Sequence, residues 1–237
     1  YSFLRMQSQV APKMHNIISP SKSSKNDIQK YFHIDASKIH VIPNGIDTGI
    51  FKPNPMISKK PFKLITTASA DVPLKGLDFT LRAIAVAIDK YPLINLVVIG
   101  KPRSGGHTER LISKLGIDEL VSFKTNLTNQ EVSDEYASSQ IAIVSSLYEG
   151  FGFPVGEAMA CAVPLIATDV ASIPEITGPY AEMIAPESHE DIFNSLDNIF
   201  QNYDHYMKKA ILGRDHILQN FSWSVIANSY IDHISSI

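Results

Sequence analysis

The sequence predicts an α/β protein with a parallel sheet that helices cover on both faces. Strand-like and helix-like segments alternate over most of the 237 residues, with short loops between them. The segment 94–99 is nearly all apolar, as strands buried on both faces of a parallel sheet tend to be. Ligands of such sheets bind at the carboxyl ends of the strands. We therefore expect four loops to converge on one site: 69–75, 100–106, 124–128 and 145–153.

Each predicted strand is a short run rich in apolar and β-branched residues. These runs are 14–20, 39–42, 62–67, 94–99, 120–123, 140–145, 164–168 and 180–184. Residues 47–61 carry three prolines and predict a linker.

Helices are predicted between the strands and after the last one. The first starts from a cap at Ser21 or Ser23 and ends near residue 32. Thr128 and Glu131 form a capping box for another, and Pro154 fits the first position of a third. The remaining predicted helices run from about 77 to 90, over 107–115, within 189–219, and from 223 to 234.

Composition excludes several function classes. A net charge of −3 gives no electrostatic case for binding nucleic acid. The single cysteine, Cys161, excludes an internal disulfide, and no Cys/His cluster has zinc spacing, which fits a reducing compartment. No apolar run approaches the ~20 residues that a membrane span needs. Position 1 is Tyr and not Met, so we expect a piece of a longer protein.

The most informative segment surrounds a glycine-containing turn with two carboxylates, Glu149 and Glu157. Backbone amides at a helix start suit phosphate, and carboxylates beside them suit the hydroxyls of a ribose or a sugar. We expect Glu157 in the first helical turn and Glu149 in the loop before it, with both facing one crevice. The amides that would face the phosphate belong to Gly150, Phe151, Gly152 and Phe153. The segment predicts a ligand that is part phosphate and part sugar.

An alternative hypothesis uses the same glycines. Gly150, Gly152 and Gly156 form G-x-G-x-x-x-G, close to a dinucleotide-binding fingerprint. Asp169 ends the next strand, where an acid that binds ribose is expected. The last glycine is one position late, however, and Glu149 would place a negative charge beside the pyrophosphate.

The segment E-G-F-G-F-P-V-G-E-A-M-A-C-A-V-P, with Glu149 and Glu157 separated by seven residues, resembles the signature of retaining GT-B glycosyltransferases of family 4, glycosyl transferase group 1. Further motifs resemble that family in order and spacing. They are V-I-P-N-G-I-D at 41–47, K-G at 75–76, L-V-V-I-G at 96–100, I-P-E at 173–175 and F-S-W at 221–223. The resemblance covers nearly the whole chain and implies the C-terminal, Rossmann-like half of a GT-B fold.

The resemblance implies roles for individual residues. Glu157 would hold the ribose hydroxyls of a nucleotide-sugar, and Glu149 would contact hydroxyls of the transferred sugar. Lys75 would neutralise the diphosphate, which agrees with the use of cations beside leaving groups. Amides around Phe151–Phe153 would bind the diphosphate or the sugar. The loop containing Asn126 and Leu127 would lie near the base.

Departures from the family pattern concern the diphosphate. Ala70 stands where the family has an arginine before the lysine loop. Lys101 or Arg103 are conceivable substitutes for that arginine. Asp71 could be taken for a metal ligand, but there is no D-x-D motif. The resemblance implies that side chains and amides bind the diphosphate without a required metal or other cofactor.

The resemblance also implies how the chain is organised. Residues 1–45 would be the tail of the N-terminal GT-B domain, 46–61 the interdomain linker, 62–220 the donor-binding domain, and 221–237 a crossover helix. His15, His33 and His40 in that tail are expected to be structural or surface residues. The crossover helix carries an apolar stripe that the absent domain would cover, formed by Val225, Ile226, Tyr230 and Ile234.

The expected partners are a nucleotide-sugar donor, a glycan or lipid-linked acceptor, and the N-terminal domain that is absent here. Cytoplasmic location, with peripheral contact at the inner face of the membrane, is also expected. A nucleotide-sugar-binding module that is inactive alone and a GT-B-fold nucleotide-sugar epimerase remain alternatives.

Overall fold

A computed structural model of the chain describes residues 2–69 and 71–236, with side chains from residue 6 onward. The described strands are β1 Ile17–Ser19, β2 Ile39–Val41, β3 Lys63–Thr67, β4 Asn95–Ile99, β5 Val121–Lys124, β6 Ile141–Val144, β7 Leu165–Thr168 and β8 Glu182–Ile184. The described α-helices are α1 Ser2–Val10, α2 Lys22–Phe32, α3 Leu77–Ala87, α4 His107–Leu115, α5 Asn129–Ser138, α6 Phe153–Ala160, α7 Ile173–Thr177, α8 His189–Gln201, α9 Tyr203–Asn220 and α10 Trp223–Ser235.

The main sheet has six parallel strands in the order β5-β4-β3-β6-β7-β8, which confirms the predicted parallel α/β fold. Chain order runs outward from β3 to β5, then returns to β6 on the other side of β3 and continues to β8. Ile65 of β3 pairs with Val97 of β4 on one side and with Ala142 of β6 on the other. The strand order therefore reverses between β3 and β6, and the loops after these two strands flank the crevice where such sheets bind ligands.

Two apolar cores lie on the two faces of this sheet because side chains alternate along each strand. Leu64 of β3 packs with α3, α4 and α8, whereas Ile65 packs with α5, α6, α7 and α9. Both side chains are fully buried. The sheet is thus a rigid platform whose carboxyl edge carries the loops.

The first part of the chain forms a small unit beside this platform. Strands β1 and β2 pair in parallel, and Ser21 caps α2 by accepting a hydrogen bond from the Ser24 N–H at 3.0 Å. The linker joins the start of α10, since Ile46 forms a parallel bridge with Ser222 and its N–H donates to the Phe221 carbonyl at 2.7 Å. Segments from both ends of the chain therefore meet at the linker.

Most predicted elements are confirmed, with ends that differ by a few residues. The capping box at Thr128 and Glu131 is present. The sequence analysis missed α1 and the short helix α7. Of the stripe on α10, Ile226 is buried and Ile234 is exposed, so the expectation of a partly exposed face is confirmed. Among the described residues no helix combines the length and apolar character that a membrane crossing requires.

The predicted start of α6 is wrong by one residue, and this moves Glu157. Gly152 adopts a φ of 99°, which only glycine adopts readily, and precedes the helix as its N-cap. Phe153 is the first helical residue and Pro154 the second. The first turn holds no acidic residue, so Glu157 opens the second turn, one position later in the helix than predicted.

Candidate donor-binding site

The candidate site lies where the loops after β3 and β6 meet. Lys75 ends a 3-10 turn, and Gly76 follows in the left-handed region with a φ of 61° before α3 begins. A Cβ atom at Gly76 would overlap the Ser145 carbonyl oxygen, so the two loops can approach this closely only with glycine. The Leu147 N–H donates to the Leu74 carbonyl at 2.8 Å and ties the loops together.

An ion pair links these loops across the crevice. Lys75 Nζ lies 2.7 Å from Glu149 Oε1, and the Ser146 hydroxyl donates to the same oxygen at 2.7 Å. Only 10% of the Glu149 side chain is exposed. Among the described residues, Glu149 Oε2 has no hydrogen-bond partner. That oxygen is free to accept a hydrogen bond from a ligand hydroxyl.

The loop after Glu149 presents unpaired amides at the start of α6. Within the described part of the chain, the N–H groups of Gly150, Phe151, Gly152 and Phe153 have no hydrogen-bond partner. The positive end of the α6 dipole adds to their potential. This arrangement suits an anion, as predicted, and Lys75 beside it supplies a full positive charge.

Glu157 lies in a cavity of about 210 Å³ on the α5–α6 face of the sheet. Burial raises the pKa of its carboxyl to about 7, and the nearby Tyr136 hydroxyl opposes that rise. Tyr136 is itself buried, and its hydroxyl lies 2.9 Å from Oγ1 of Thr67, the last residue of β3. Tyr136 thus ties α5 to the carboxyl end of a central strand, close to Glu157.

The cavity around Glu157 includes residues that the sequence analysis did not assign to the site. Asn129 begins α5, and Trp223 begins α10. The wall is completed by Gly45, Ile46, Asp47, Phe51 and Phe153. Several of these residues belong to the motifs at 41–47 and 221–223, which were already noted in the sequence. That they form a cavity wall depends on the linker folding back onto the start of α10.

Two predicted residues of the β5–α5 loop lie outside this wall. Asn126 is exposed with a φ of 56°, and Leu127 is half-buried. They follow β5, the edge strand two places from β3. By contrast, Asn129, the first residue of α5 and two positions after Leu127, lines the Glu157 cavity.

Asp71 is bound to backbone amides. Its carboxylate accepts hydrogen bonds from the Thr108 N–H at 2.9 Å and the Arg103 N–H at 2.8 Å. The bond from Thr108, then that from Arg103, holds the pKa of Asp71 below its usual value. Asp71 therefore fastens the start of α4. Ala70, the position of the missing arginine, lies outside the described residues, and Arg103 lines a separate cavity with Arg110.

The third glycine of the alternative dinucleotide fingerprint has a packing role. Gly156 lies inside α6, and a Cβ there would lie 2.5 Å from Ile46 Cδ1. Gly156 lets the helix approach the linker closely. It does not lie in the turn before the helix, where a glycine of a pyrophosphate-binding loop would be needed. Asp169 is exposed and follows β7. Across the described residues there is no group of three or more His, Cys, Asp or Glu side chains arranged to hold a metal ion.

Comparison with known proteins agrees with this geometry. The family model for glycosyl transferases group 1 matches residues 51–213, and that for glycosyltransferase family 4 matches residues 1–49. The chain is 32% identical over 231 residues to an MMP α-(1→4)-mannosyltransferase of Mycolicibacterium hassiacum, covering 96% of this chain and 55% of the relative. The chain spans about half the length of the curated relatives that it matches.

Solved structures show the same fold. HepE of Anabaena, in complex with UDP and glucose, superposes with a TM-score of 0.87 at 20% identity, covering 99% of this chain and 67% of HepE. The C-terminal domain of a glycosyl transferase group 1 protein of Francisella tularensis superposes with a TM-score of 0.66 at 26% identity, covering 76% of this chain and 100% of that domain. The six-stranded parallel sheet is that of GT-B glycosyltransferases, and the chain belongs to the glycosyl transferase group 1 family.

Proposed function

We propose that this chain is the donor-binding half of a retaining glycosyltransferase. The enzyme would move a sugar from a nucleoside diphosphate to a glycan, a lipid-linked molecule or another acceptor. One observation carries the proposal: Lys75 and Glu149 form an ion pair at the switch point of the sheet, beside four unpaired loop amides. A cation and amides suit a diphosphate, and the free carboxylate oxygen suits a sugar hydroxyl.

In this proposal each group has one task. Lys75 and the amides of Gly150, Phe151, Gly152 and Phe153 bind the diphosphate. Glu149 Oε2 accepts a hydrogen bond from the transferred sugar, and Glu157 accepts hydrogen bonds from the ribose. Asn126 and Leu127 lie toward the base.

The reaction breaks the bond between the anomeric carbon and the diphosphate oxygen, and the electron pair leaves with that oxygen. Lys75 and the loop amides stabilise the negative charge that develops there. The sugar passes through an oxocarbenium-like state. The acceptor hydroxyl attacks from the face that the diphosphate leaves and passes its proton to the departing diphosphate oxygen. No metal is required, because protein cations and amides carry the charge.

The acceptor and the second wall of the active site would come from an N-terminal GT-B domain. Relatives are about twice as long as this chain, which supports that arrangement. The enzyme would act in the cytoplasm, with its acceptor at the inner face of the membrane. A second candidate function follows from the same observation: the chain alone would bind nucleotide-sugars without transferring the sugar.

Calorimetry on this chain with UDP-, GDP- and ADP-sugars tests the donor proposal. We expect saturable binding of one of them, weakened in Glu157→Ala and unchanged in Glu119→Ala, which alters an exposed carboxylate remote from the loops. Failure of every nucleotide-sugar to bind, or unchanged affinity in Glu157→Ala, would contradict the assigned site. Assays for transfer and for donor hydrolysis separate the two candidate functions, and we expect little or no turnover from this chain.

A further inference from the structure

The carbonyl groups of the candidate diphosphate loop are held by three serine hydroxyls. The Ser172 hydroxyl, at the start of α7, lies 2.7 Å from the Glu149 carbonyl and 2.8 Å from the Phe151 carbonyl. The hydroxyls of Ser21 and Ser24 donate to the carbonyl between them, that of Gly150, at 2.8 and 2.9 Å. Three successive carbonyls are thus fixed by side chains that lie outside the loop.

Fixing these carbonyls also fixes the amides. In a planar trans peptide, the C=O and the following N–H point in opposite directions. Because Ser172 binds the carbonyls of Glu149 and Phe151, the N–H groups of Gly150 and Gly152 must point away from it. In the same way, the Phe151 N–H points away from the two α2 hydroxyls. The serines therefore set the direction of three of the four unpaired amides, those of Gly150, Phe151 and Gly152.

The hydroxyls are themselves well constrained. Ser172 is fully buried, and its single proton is shared by two carbonyl oxygens. Ser21 accepts the helix-capping bond from the Ser24 N–H, so its own proton remains for Gly150. The Gly150 carbonyl accepts two hydrogen bonds, which matches its two lone pairs.

Further contacts hold α2 against the loop. The Glu175 carboxylate of α7 accepts hydrogen bonds from the N–H groups of Lys22 and Ser23 at 2.8 and 2.9 Å, where a negative charge also complements the helix dipole. The Tyr148 hydroxyl donates to Asp27 Oδ2 at 2.7 Å. Helix α2 precedes the segment that matches the group 1 family model.

We propose that Ser21, Ser24 and Ser172 are positioning residues that aim the loop amides at the donor diphosphate. This inference rests on the proposed function. It assigns part of the support for the diphosphate site to α2 and its cap, which precede the predicted donor-binding domain, residues 62–220. Loss of the Ser172 hydroxyl should release the Phe151 carbonyl. Loss of the Ser24 hydroxyl should leave the Gly150 carbonyl with the Ser21 hydroxyl alone, so the adjacent peptide plane can turn more easily.

The test compares a nucleoside diphosphate with the nucleoside that lacks phosphates. Calorimetry uses UDP, GDP or ADP, whichever binds the full chain, and its parent nucleoside. Ser172→Ala and Ser24→Ala should each weaken the diphosphate roughly five- to tenfold, the effect of about one hydrogen bond, and leave nucleoside affinity unchanged. Ser24→Thr, which retains the hydroxyl, should restore binding.

Ser139→Ala is the matched control. Ser139 is fully buried, and its hydroxyl donates to the Glu135 carbonyl at 2.7 Å, at the end of the sheet opposite the loops. Amide NMR shifts give a second readout: Ser172→Ala and Ser24→Ala should move the signals of residues 150–152, whereas Ser139→Ala should not. If Ser172→Ala fails to fold, Ser24→Ala, which leaves the helix cap intact, still tests the proposal.

The outcomes separate the two hypotheses. If the unaltered chain binds neither UDP, GDP nor ADP, the proposed function fails. If it binds one of them and the serine variants bind it equally well, the positioning role is wrong. A parallel loss of nucleoside and diphosphate affinity also overturns that role, since it indicates general damage to the site.

Discussion

Lys75 Nζ lies 2.7 Å from Glu149 Oε1, although the two residues are 74 positions apart in the chain. They meet because β3 and β6 are neighbours in the sheet and their following loops share its carboxyl edge. In the proposed function, the pair brings a cation for the diphosphate next to an acceptor for the sugar. It also keeps each charge compensated while no ligand is bound.

Replacing Lys75 should weaken binding and also lower stability. The ammonium is partly exposed but Glu149 is nearly buried, so Lys75→Met should lower the free energy of unfolding by roughly 1–3 kcal/mol, because that carboxylate keeps only the Ser146 hydroxyl. Affinity for a nucleoside diphosphate should fall at least about tenfold, since a charge-assisted contact is lost. Calorimetry and urea unfolding measure the two effects.

Lys90→Met is the control for Lys75→Met. Lys90 forms a similar ion pair with Asp197 at 2.5 Å, at the far end of α3. Its loss should leave nucleotide affinity unchanged. Equal affinity of Lys75→Met and the unaltered chain would remove Lys75 from the site.

The raised pKa of Glu157 predicts a pH-dependent stability. Its pKa is about 7 in the folded chain against an ordinary value of 4.5. Between these values the folded state keeps a proton that the unfolded state releases, so the stabilising contribution is present below pH 4.5 and is lost as the pH rises through 7. Glu157→Gln cannot lose this proton.

The stability of Glu157→Gln relative to the unaltered chain should therefore increase by roughly 1–3 kcal/mol from pH 5 to pH 8. Urea unfolding at four pH values measures this difference. Glu119→Gln alters an exposed carboxylate and should show a much smaller change. Parallel stability curves for Glu157→Gln and the unaltered chain would contradict the prediction.

Removing the Tyr136 hydroxyl should raise the pKa of Glu157 further, because that hydroxyl lies near the carboxyl and lowers its pKa. Tyr136→Phe also loses the contact with Thr67, at a cost of about 0.5–1.5 kcal/mol. A ¹³C NMR titration of the Glu157 carboxyl measures the pKa.

Tyr206→Phe separates the two effects of Tyr136→Phe. The Tyr206 hydroxyl accepts a hydrogen bond from Asn198 at 2.7 Å and donates to Glu182 at 3.0 Å. This variant should lose stability yet leave the Glu157 titration unchanged. An unaltered or lowered pKa of Glu157 in Tyr136→Phe would show that the Tyr136 hydroxyl does not lower it.

Gly45 permits the linker to pack on the Trp223 ring. A Cβ at Gly45 would lie 2.6 Å from Trp223 Cε3, and a fused aromatic ring cannot bend away. Gly45→Ala should therefore destabilise the chain by about 1–3 kcal/mol. Most of this penalty should vanish when Trp223 is also replaced by Ala.

A double-mutant cycle measured by urea unfolding tests this coupling between Gly45 and Trp223. Gly49→Ala is the control, because a Cβ there would meet only the tip of the Asp47 side chain, at 3.2 Å. Additive effects of Gly45→Ala and Trp223→Ala would show that the indole does not set the requirement for glycine.

Local patterns in the sequence were sufficient to predict the parallel sheet, most of the helices, and the ends of those segments that carry strong capping signals. The capping box at Thr128 is one example, and the cap of α2, predicted at Ser21 or Ser23 and found at Ser21, is another, since both depend on residues a few positions apart. The missed helix α7 has only five residues, too few for a clear period. The start of α6 was misplaced because the backbone of Gly152, and not the proline, ends the loop.

The sequence by itself predicted the α/β fold, the loops at the carboxyl edge and the candidate residues Glu149 and Glu157, and its family resemblance added Lys75. Their arrangement depended on tertiary structure: the ion pair of Lys75, the burial that raises the pKa of Glu157, and the serines of α2 and α7 that hold the loop carbonyls. Periodicity and capping involve residues that are close in the chain, so they can be recognised in the sequence. Contacts between residues far apart in the chain exist only after strand order and packing bring the loops together.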